Sequence, residues 1–299
     1  MGVGLVLVTA TTPVVWGTTY LVTTELLPPD RPLLAGVLRA LPAGLLLLLI
    51  TRRLPSGSWW WRSAMLGTLN IGAFFALLFL SAYRLPGGVA AVLGASGPLL
   101  VAVLSVRLLG QRLAVRPLLS GGAAAVGVGL TVVTSTARLD PVGVAAGIGG
   151  AASMALGVVL TKRWGRPAPV LTTTGWQLTA GGLVLLPLAL VVEGLPASLT
   201  AENVGGYAYL ALIGSALAYT VWFRGLERLP AISVSLLGQL SPIVATFLGW
   251  LVLEQRLSPV QLLGMAIALG GVIAGQSLGA RRPTPPVSVD QQVPVPVGC

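Results

Sequence analysis

One arginine, Arg39, stands inside the apolar run from Pro32 to Ile50. A guanidinium carries five N–H donors and no acceptor, so in hydrocarbon it must find carbonyls, a carboxylate or an aromatic face. Two placements meet that need. The long stem can snorkel to Glu25 or Asp30 at the nearer membrane edge, or the fork can face a cavity and hold a carboxylate or carbonyl groups. Other polar and aromatic residues fall on single helical stripes: Thr12, Trp16 and Tyr20; Asn70, Phe74 and Ser81; Ser215, Tyr219 and Trp222. A further stripe, Ser235, Gln239, Pro242 and Thr246, follows intervals of four, three and four. Trp176 and Gln177 are neighbours in another apolar run, and Ser241 lies beside Pro242. Such groups stack and hydrogen-bond, which is how a small molecule is held without covalent chemistry. The same residue types also glue helices together in lipid, and for each residue the sequence leaves both uses open.

Catalysis is a poor fit to this inventory. The chain has no histidine and a single cysteine, Cys299, in a tail. Its eight acids, Glu25, Asp30, Asp140, Glu193, Glu202, Glu227, Glu254 and Asp290, lie at the ends of apolar runs, in loops or in that tail. No acid pair is placed for general acid/base work and no cluster for a metal, so no cofactor, no metal and no enzyme activity are expected. The missing intramembrane acid also bears on energy coupling. Either transport is facilitated, or it couples through terminal residues such as Glu25 or Glu227.

The elements that must position these groups are membrane helices. Hydrophobic residues make up 55% of the 299 and charged ones only 9%, too few to cover a soluble surface. Apolar runs near the ~20 residues a helix needs to span a bilayer recur along the chain without the alternation of a barrel strand. Ten spans are expected: Val3–Val22, Pro32–Ile50, Ala64–Ala82, Gly87–Val106, Leu118–Thr134, Val142–Thr161, Val170–Val192, Val204–Phe223, Ala231–Leu253 and Pro259–Leu278. The first reads as a retained helix, since it lacks a basic leader and a cleavage site. Residues 279–299, rich in proline and polar groups, are expected to be disordered.

Basic residues set an orientation. With the N-terminus inside, thirteen arginines and lysines fall on the cytoplasmic side and only Arg31, Arg84, Arg138 and Arg256 outside. The net charge of +10 is therefore topological and does not point to nucleic acid. Trp59, Trp60 and Trp61 beside Arg62 fit an interfacial aromatic belt.

An internal repeat organises the spans. Shifting RLPGGVAAVLGASGPLLVAVLSVRLLGQRL (84–113) by 144 positions onto RLPAISVSLLGQLSPIVATFLGWLVLEQRL (228–257) matches Arg84, Leu85, Pro86, Leu93, Gly94, Pro98, Leu104, Leu109, Gln111, Arg112 and Leu113. The expected architecture is an all-α integral membrane protein of ten transmembrane helices, as two inverted five-helix repeats over 1–134 and 142–278. Five spans per half would invert the second half relative to the first. Aligning LRALPAGLLLL with WQLTAGGLVLL makes Gln177 the counterpart of Arg39, two polar residues at related places that are expected to face inward near the repeat interface and to distinguish the outer from the inner side of a pathway. Pro98 and Pro242 recur as helix breaks that free backbone carbonyls. Glycine and alanine crowd spans 5 and 10, which read as packing helices, within one protomer or between two.

On these residues the chain resembles the EamA family of the drug/metabolite transporter superfamily, over about residues 3–278. The carriers are Trp16 and Gly17, Arg39, Pro98 and Pro242, and LLGQRL echoed by LVLEQRL before spans 5 and 10. The chain departs from the family where a glutamate is common: it has Gln111 and Gln255, with Glu254 displaced by one. The resemblance implies efflux of a small solute, such as an amino acid or related amphipathic compound, from a multi-pass protein of the inner (plasma) membrane with both termini cytoplasmic. The substrate is then held by some of Trp16, Tyr20, Arg39, Asn70, Phe74, Trp176, Gln177, Tyr219, Trp222, Gln239 and Ser241. The partners are that solute and the lipid bilayer, for a monomer or homodimer that binds no nucleic acid. Two other classes stay open: a lipid-directed flippase, marked by a polar groove facing lipid, and a membrane scaffold that transports nothing.

Overall fold

The computed structural model describes residues 3–85, 93–111, 115–132, 140–254 and 257–278. The tail at 279–299, the start of the fourth span at 87–92, the end of the fifth at 133–134, and Arg112, Gln255 and Arg256 lie outside the described residues, as does the side chain of Tyr20.

Every regular element among the described residues is helical. They run as α1 (Val3–Leu26), α2 (Pro32–Thr51), α3 (Trp59–Gly67, a π-helical turn Thr68–Gly72, then Ala73–Arg84), α4 (Leu93–Leu109), α5 (Val115–Val132), α6 (Pro141–Trp164) and α7 (Val170–Val192). Then come α8 (Ala201–Ala211, a π-helical turn Leu212–Leu217, then Ala218–Arg228), α9 (Ala231–Leu237, then Leu240–Val252) and α10 (Pro259–Leu278). Eight of these are long and apolar enough to cross a membrane, while α4 and α5 are shorter apolar helices. The chain is thus an all-helical, multi-pass membrane protein.

Helix ends differ from the expected ones where interfacial residues extend the apolar run. α3 begins at Trp59, ahead of Ala64, because its first turn stacks aromatics on Arg62, whose guanidinium lies 5.5–5.6 Å from the rings of Trp59, Trp61 and Trp164. α8 begins at Ala201 because Thr200 and Asn203 form a reciprocal cap. At α6, Asp140 caps the first turn by accepting from the amides of Val142 and Gly143 and pairs with Arg84 at 3.2 Å. The Gly143 amide, with help from Val142 and Arg84, holds the Asp140 carboxyl below its ordinary range.

Two kinds of irregularity are absent from the periodicity and decide the interior. The π-helical turns in α3 and α8 start at positions 68 and 212, again 144 apart. α4 turns at Ser96, and α9 breaks at Gly238 and Gln239, each just before its proline. The amide of Ser96 donates to the carbonyl of Leu93, and that of Gln239 to the carbonyl of Leu236, so the chain tightens by one residue where Pro98 and Pro242 offer no N–H.

α5 and α10 pack on each other within the protomer. A Cβ at Gly271 would come to 2.8 Å from the Ser120 carbonyl oxygen, and one at Gly127 would run into the Ala268 amide, so only glycine lets the backbones approach this closely.

At one end of the bundle Glu193, after α7, accepts from the amides of Leu33 and Leu34 and so caps α2, while Arg31 donates to the carbonyls of Glu193 and Gly194. At the other end Lys162 on α6 donates to the carbonyls of Leu226, Glu227 and Leu229, and Arg166 pairs with Glu227 at 2.8 Å.

Candidate functional site

The polar stripes of α1, α8 and α9 converge with α2, α3, α4 and α6 on a cavity of about 470 Å³. Its volume falls in the usual range for a small-molecule site, roughly 300–1,000 Å³. Trp16, Tyr219 and Trp222 form one aromatic wall, with Trp16 ring centroids 4.9 Å from Tyr219 and 5.1 Å from Trp222 in tilted pairs. Phe74, Phe75 and Phe79 form another, at 5.6 and 6.2 Å along the series. A shift of 144 relates Phe75 to Tyr219 and Leu78 to Trp222, all of which line the cavity. The same shift relates Gly94 and Pro98 to Gly238 and Pro242, which line it at the two helix breaks.

Arg39 sits at this cavity, 7% exposed. Its Nε donates to Ser215 Oγ at 3.2 Å, its Nη2 to the Gly214 carbonyl at 3.0 Å, and its Cζ lies 5.2 Å from the centre of the Phe75 ring. Trp16 Nε1 donates to the same Gly214 carbonyl at 3.0 Å. The π-helical turn of α8 departs from the regular ladder, and there one carbonyl serves two side chains on two other helices. The snorkelling alternative is therefore corrected: Arg39 pairs with neither Glu25 nor Asp30, because Ser215 and Gly214 lie nearer along its inward path than any carboxylate does. The described ion pairs, Arg84–Asp140 and Arg166–Glu227, are both at helix ends.

Of the expected substrate residues, Trp16, Arg39, Phe74, Tyr219, Trp222, Gln239 and Ser241 line the cavity together with the helix breaks at Pro98 and Pro242. Three others, Asn70, Trp176 and Gln177, lie outside its lining. Asn70 Nδ2 donates to Gln177 Oε1 at 2.9 Å, so the two amides join α3 to α7. Gly157 of α6 faces this pair, where any Cβ would overlap the Asn70 amide. Trp176 Nε1 donates to the Arg53 carbonyl at 2.8 Å and its ring stands 6.5 Å from Trp59, at the end of α2. A 144 shift relates Asn70 to Gly214, so Arg39 and Gln177 each meet the π-helical turn of the other half; only Arg39 reaches the cavity. Both side chains are buried, and they differ in that Arg39 lines the cavity while Gln177 does not.

Residues not singled out from the sequence complete the walls: Thr19, Phe75, Phe79, and on α6 Ala151, Met154, Ala155 and Val158. The repeat was the available signal for Phe75, as partner of Tyr219; the α6 residues carry no polar mark. Three polar atoms at the cavity have no hydrogen-bond partner among the described residues: Thr19 Oγ1, Trp222 Nε1 and Gln239 Oε1. Buried polar groups are normally paired, and of the eleven such unpaired atoms among the described residues these three are on residues that line the cavity.

The amide pair gives a direct test of structure against substrate contact. Gln177→Met or Asn70→Leu alone is expected to cost about 1–2 kcal/mol by orphaning its partner, and the double variant less than the sum. Unfolding in detergent measures the stability, and unchanged solute flux in the double variant is the expected functional result; a flux defect at full stability would return both residues to the substrate path.

Comparison with known proteins gives the context. The model of the EamA-like transporter family matches residues 2–133 and again 141–274. Protein PecM of Dickeya dadantii (strain 3937) is 50% identical over 274 residues, covering 90% of this chain and 92% of that protein. A protein of Synechocystis sp. named uncharacterized transporter sll0355 is 31% identical over 282 residues, covering 85% of this chain and 84% of its own. A solved crystal structure aligns with a TM-score of 0.77 over 93% of this chain and 99% of its own, at 19% identity, which speaks for the fold alone.

Proposed function

The chain belongs to the EamA-like transporter family, and on that premise we propose that it exports small amphipathic metabolites, amino acids or compounds related to them, across the bacterial inner membrane. Ten helices cross the bilayer as two inverted halves, 1–134 and 142–278, and both termini face the cytoplasm. The solute occupies the aromatic-walled cavity, which opens alternately to either side as one half rocks against the other. The observation that carries this reading is the pair of proline breaks that line the cavity, Gly94 to Pro98 and Gly238 to Pro242, 144 residues apart and joined there by the related ring positions Phe75 and Tyr219. Irregular backbone at membrane depth is tolerated where it lines a protein-enclosed space, and helices broken at related places are where transporters bind their solutes. The flippase reading is weaker because the polar stripes of α1, α8 and α9 turn inward to the cavity and not to lipid.

The test is counterflow from proteoliposomes loaded with a mixed metabolite extract, with loss of each compound read by mass spectrometry, with and without a pH gradient. Selective loss of a small set of solutes is expected. Loss of none, with phospholipid probes scrambled instead, would replace export by lipid movement, and movement of neither would leave a scaffold. Glu227, one candidate for ion coupling, is engaged by Arg166, so flux without a gradient is the expected mode.

A further inference from the structure

We propose that the cavity selects a flat aromatic monoanion, with Arg39 as the group that recognises its negative charge. This rests on the cavity being the transport site and narrows the solute class within that reading.

Charge is the first argument. Arg39 is the one charged side chain lining the cavity among the described residues. Taking a guanidinium out of water costs several kcal/mol unless an anion neutralises it, and a carbonyl, a hydroxyl and a ring face supply only partial charges. Five N–H groups are present and two are used, by Ser215 Oγ and Gly214 O. The three remaining donors are both N–H groups of Nη1 and one of Nη2, and one from each nitrogen makes a fork suited to a carboxylate, phenolate or enolate oxygen. Among the described residues no carboxylate pairs with this guanidinium.

The second argument is the missing counterpart. A zwitterion would also need a home for its ammonium, and among the described residues no aspartate or glutamate lines the cavity. The ammonium would be left to cation–π contact with the aromatic walls, a weaker hold than pairing with a carboxylate. Amino acids are therefore the less favoured members of the proposed class, and aromatic acids without an amine the more favoured.

Shape and hydrogen bonding complete the assignment. Aromatic surfaces on α1, α8 and α3 flank the space beside Arg39, and the proline-broken segments of α4 and α9 border it. Gln239 and Trp222, 6% and 2% exposed, bring an unpaired acceptor and an unpaired donor for ring substituents. A bicyclic ring with one acidic group uses all of these.

The experiment is equilibrium binding to the full chain in nanodiscs at neutral pH with three isosteric probes: 2-naphthoate, 2-naphthamide and 2-naphthylmethylammonium. Naphthoate is expected to bind about 10- to 100-fold tighter than naphthamide, the usual gain of a charge-assisted pair over a neutral one. Arg39→Gln is expected to bring that ratio close to one, chiefly by weakening naphthoate, while Arg39→Lys keeps part of it. Naphthamide binding to the Gln variant shows that it is folded; should that variant fail to fold, the wild-type ratio and the Lys variant decide. Equal binding of naphthoate and naphthamide to wild type, a preference for the ammonium probe, or a preference that survives Arg39→Gln would each overturn the anion assignment while leaving the cavity a solute site. Binding of none of the three overturns it too, and the transport reading then stands or falls separately on the counterflow assay.

Discussion

Trp222→Ala is expected to destabilise the protein by about 3–5 kcal/mol and to abolish solute flux. The ring is 2% exposed and packs 5.1 Å from Trp16 on one side, with its far edge 3.7 Å from where a Cβ on Gly238 would sit. Its removal opens the interior between α1, α8 and the break in α9 at Gly238. Trp222→Phe separates packing from recognition. It keeps a six-membered aromatic ring and loses the rest of the indole with an N–H that has no partner among the described residues, so its stability cost should stay well below that of the Ala variant, at about 1–2 kcal/mol. Flux and probe affinity should still fall in the Phe variant, because the ligand loses its donor. Thermal unfolding in detergent and counterflow from liposomes measure the two effects; a Phe variant as unstable as the Ala variant would show that Nε1 has a structural partner.

Lys162→Met should cost about 2–3 kcal/mol. The ammonium donates at 2.8, 3.0 and 2.7 Å to three carbonyls at the C-terminal end of α8, where a helix has no amides of its own to offer. Lys162→Arg should recover little, since a planar fork cannot converge on three carbonyls as a compact ammonium does. This tie joins α6 to α8 at the end where Arg166 also meets Glu227, so cutting it should let that end part more readily. With Cys299 replaced by serine, a cysteine at Ser235 in the cavity wall should react faster with a membrane-impermeant thiol reagent in Lys162→Met than in the parent. Unchanged stability together with an unchanged labelling rate would mean that the tie holds nothing.

Much of the site is legible in the sequence because a stripe on a helix is local. Trp16, Tyr219, Trp222 and Gln239 were found by spacing alone, since side chains three or four residues apart must share a face and polar groups in lipid must face protein. Pro98 and Pro242 were found by the repeat. What spacing could not supply is the partner across the gap between helices. Asn70, Trp176 and Gln177 have the same polar and aromatic character as the cavity residues, yet their amides and indole are spent on each other, on Arg53 and against Gly157. Arg39 could equally have reached outward or inward by length of side chain; only the position of Gly214 and Ser215 on a helix more than 170 residues later in the chain decides it.

The sequence by itself determined that the chain lives in a membrane, where its helices run, and that positions 144 apart correspond, because burial in hydrocarbon constrains every residue of a span and duplication leaves matches that need no contact to be read. The tertiary structure alone decided which polar groups are spent on one another and which stay free. That choice depends on how far two helices stand apart, and the distance is set by glycines such as Gly157 and Gly271 and by π-helical turns that no residue type announces.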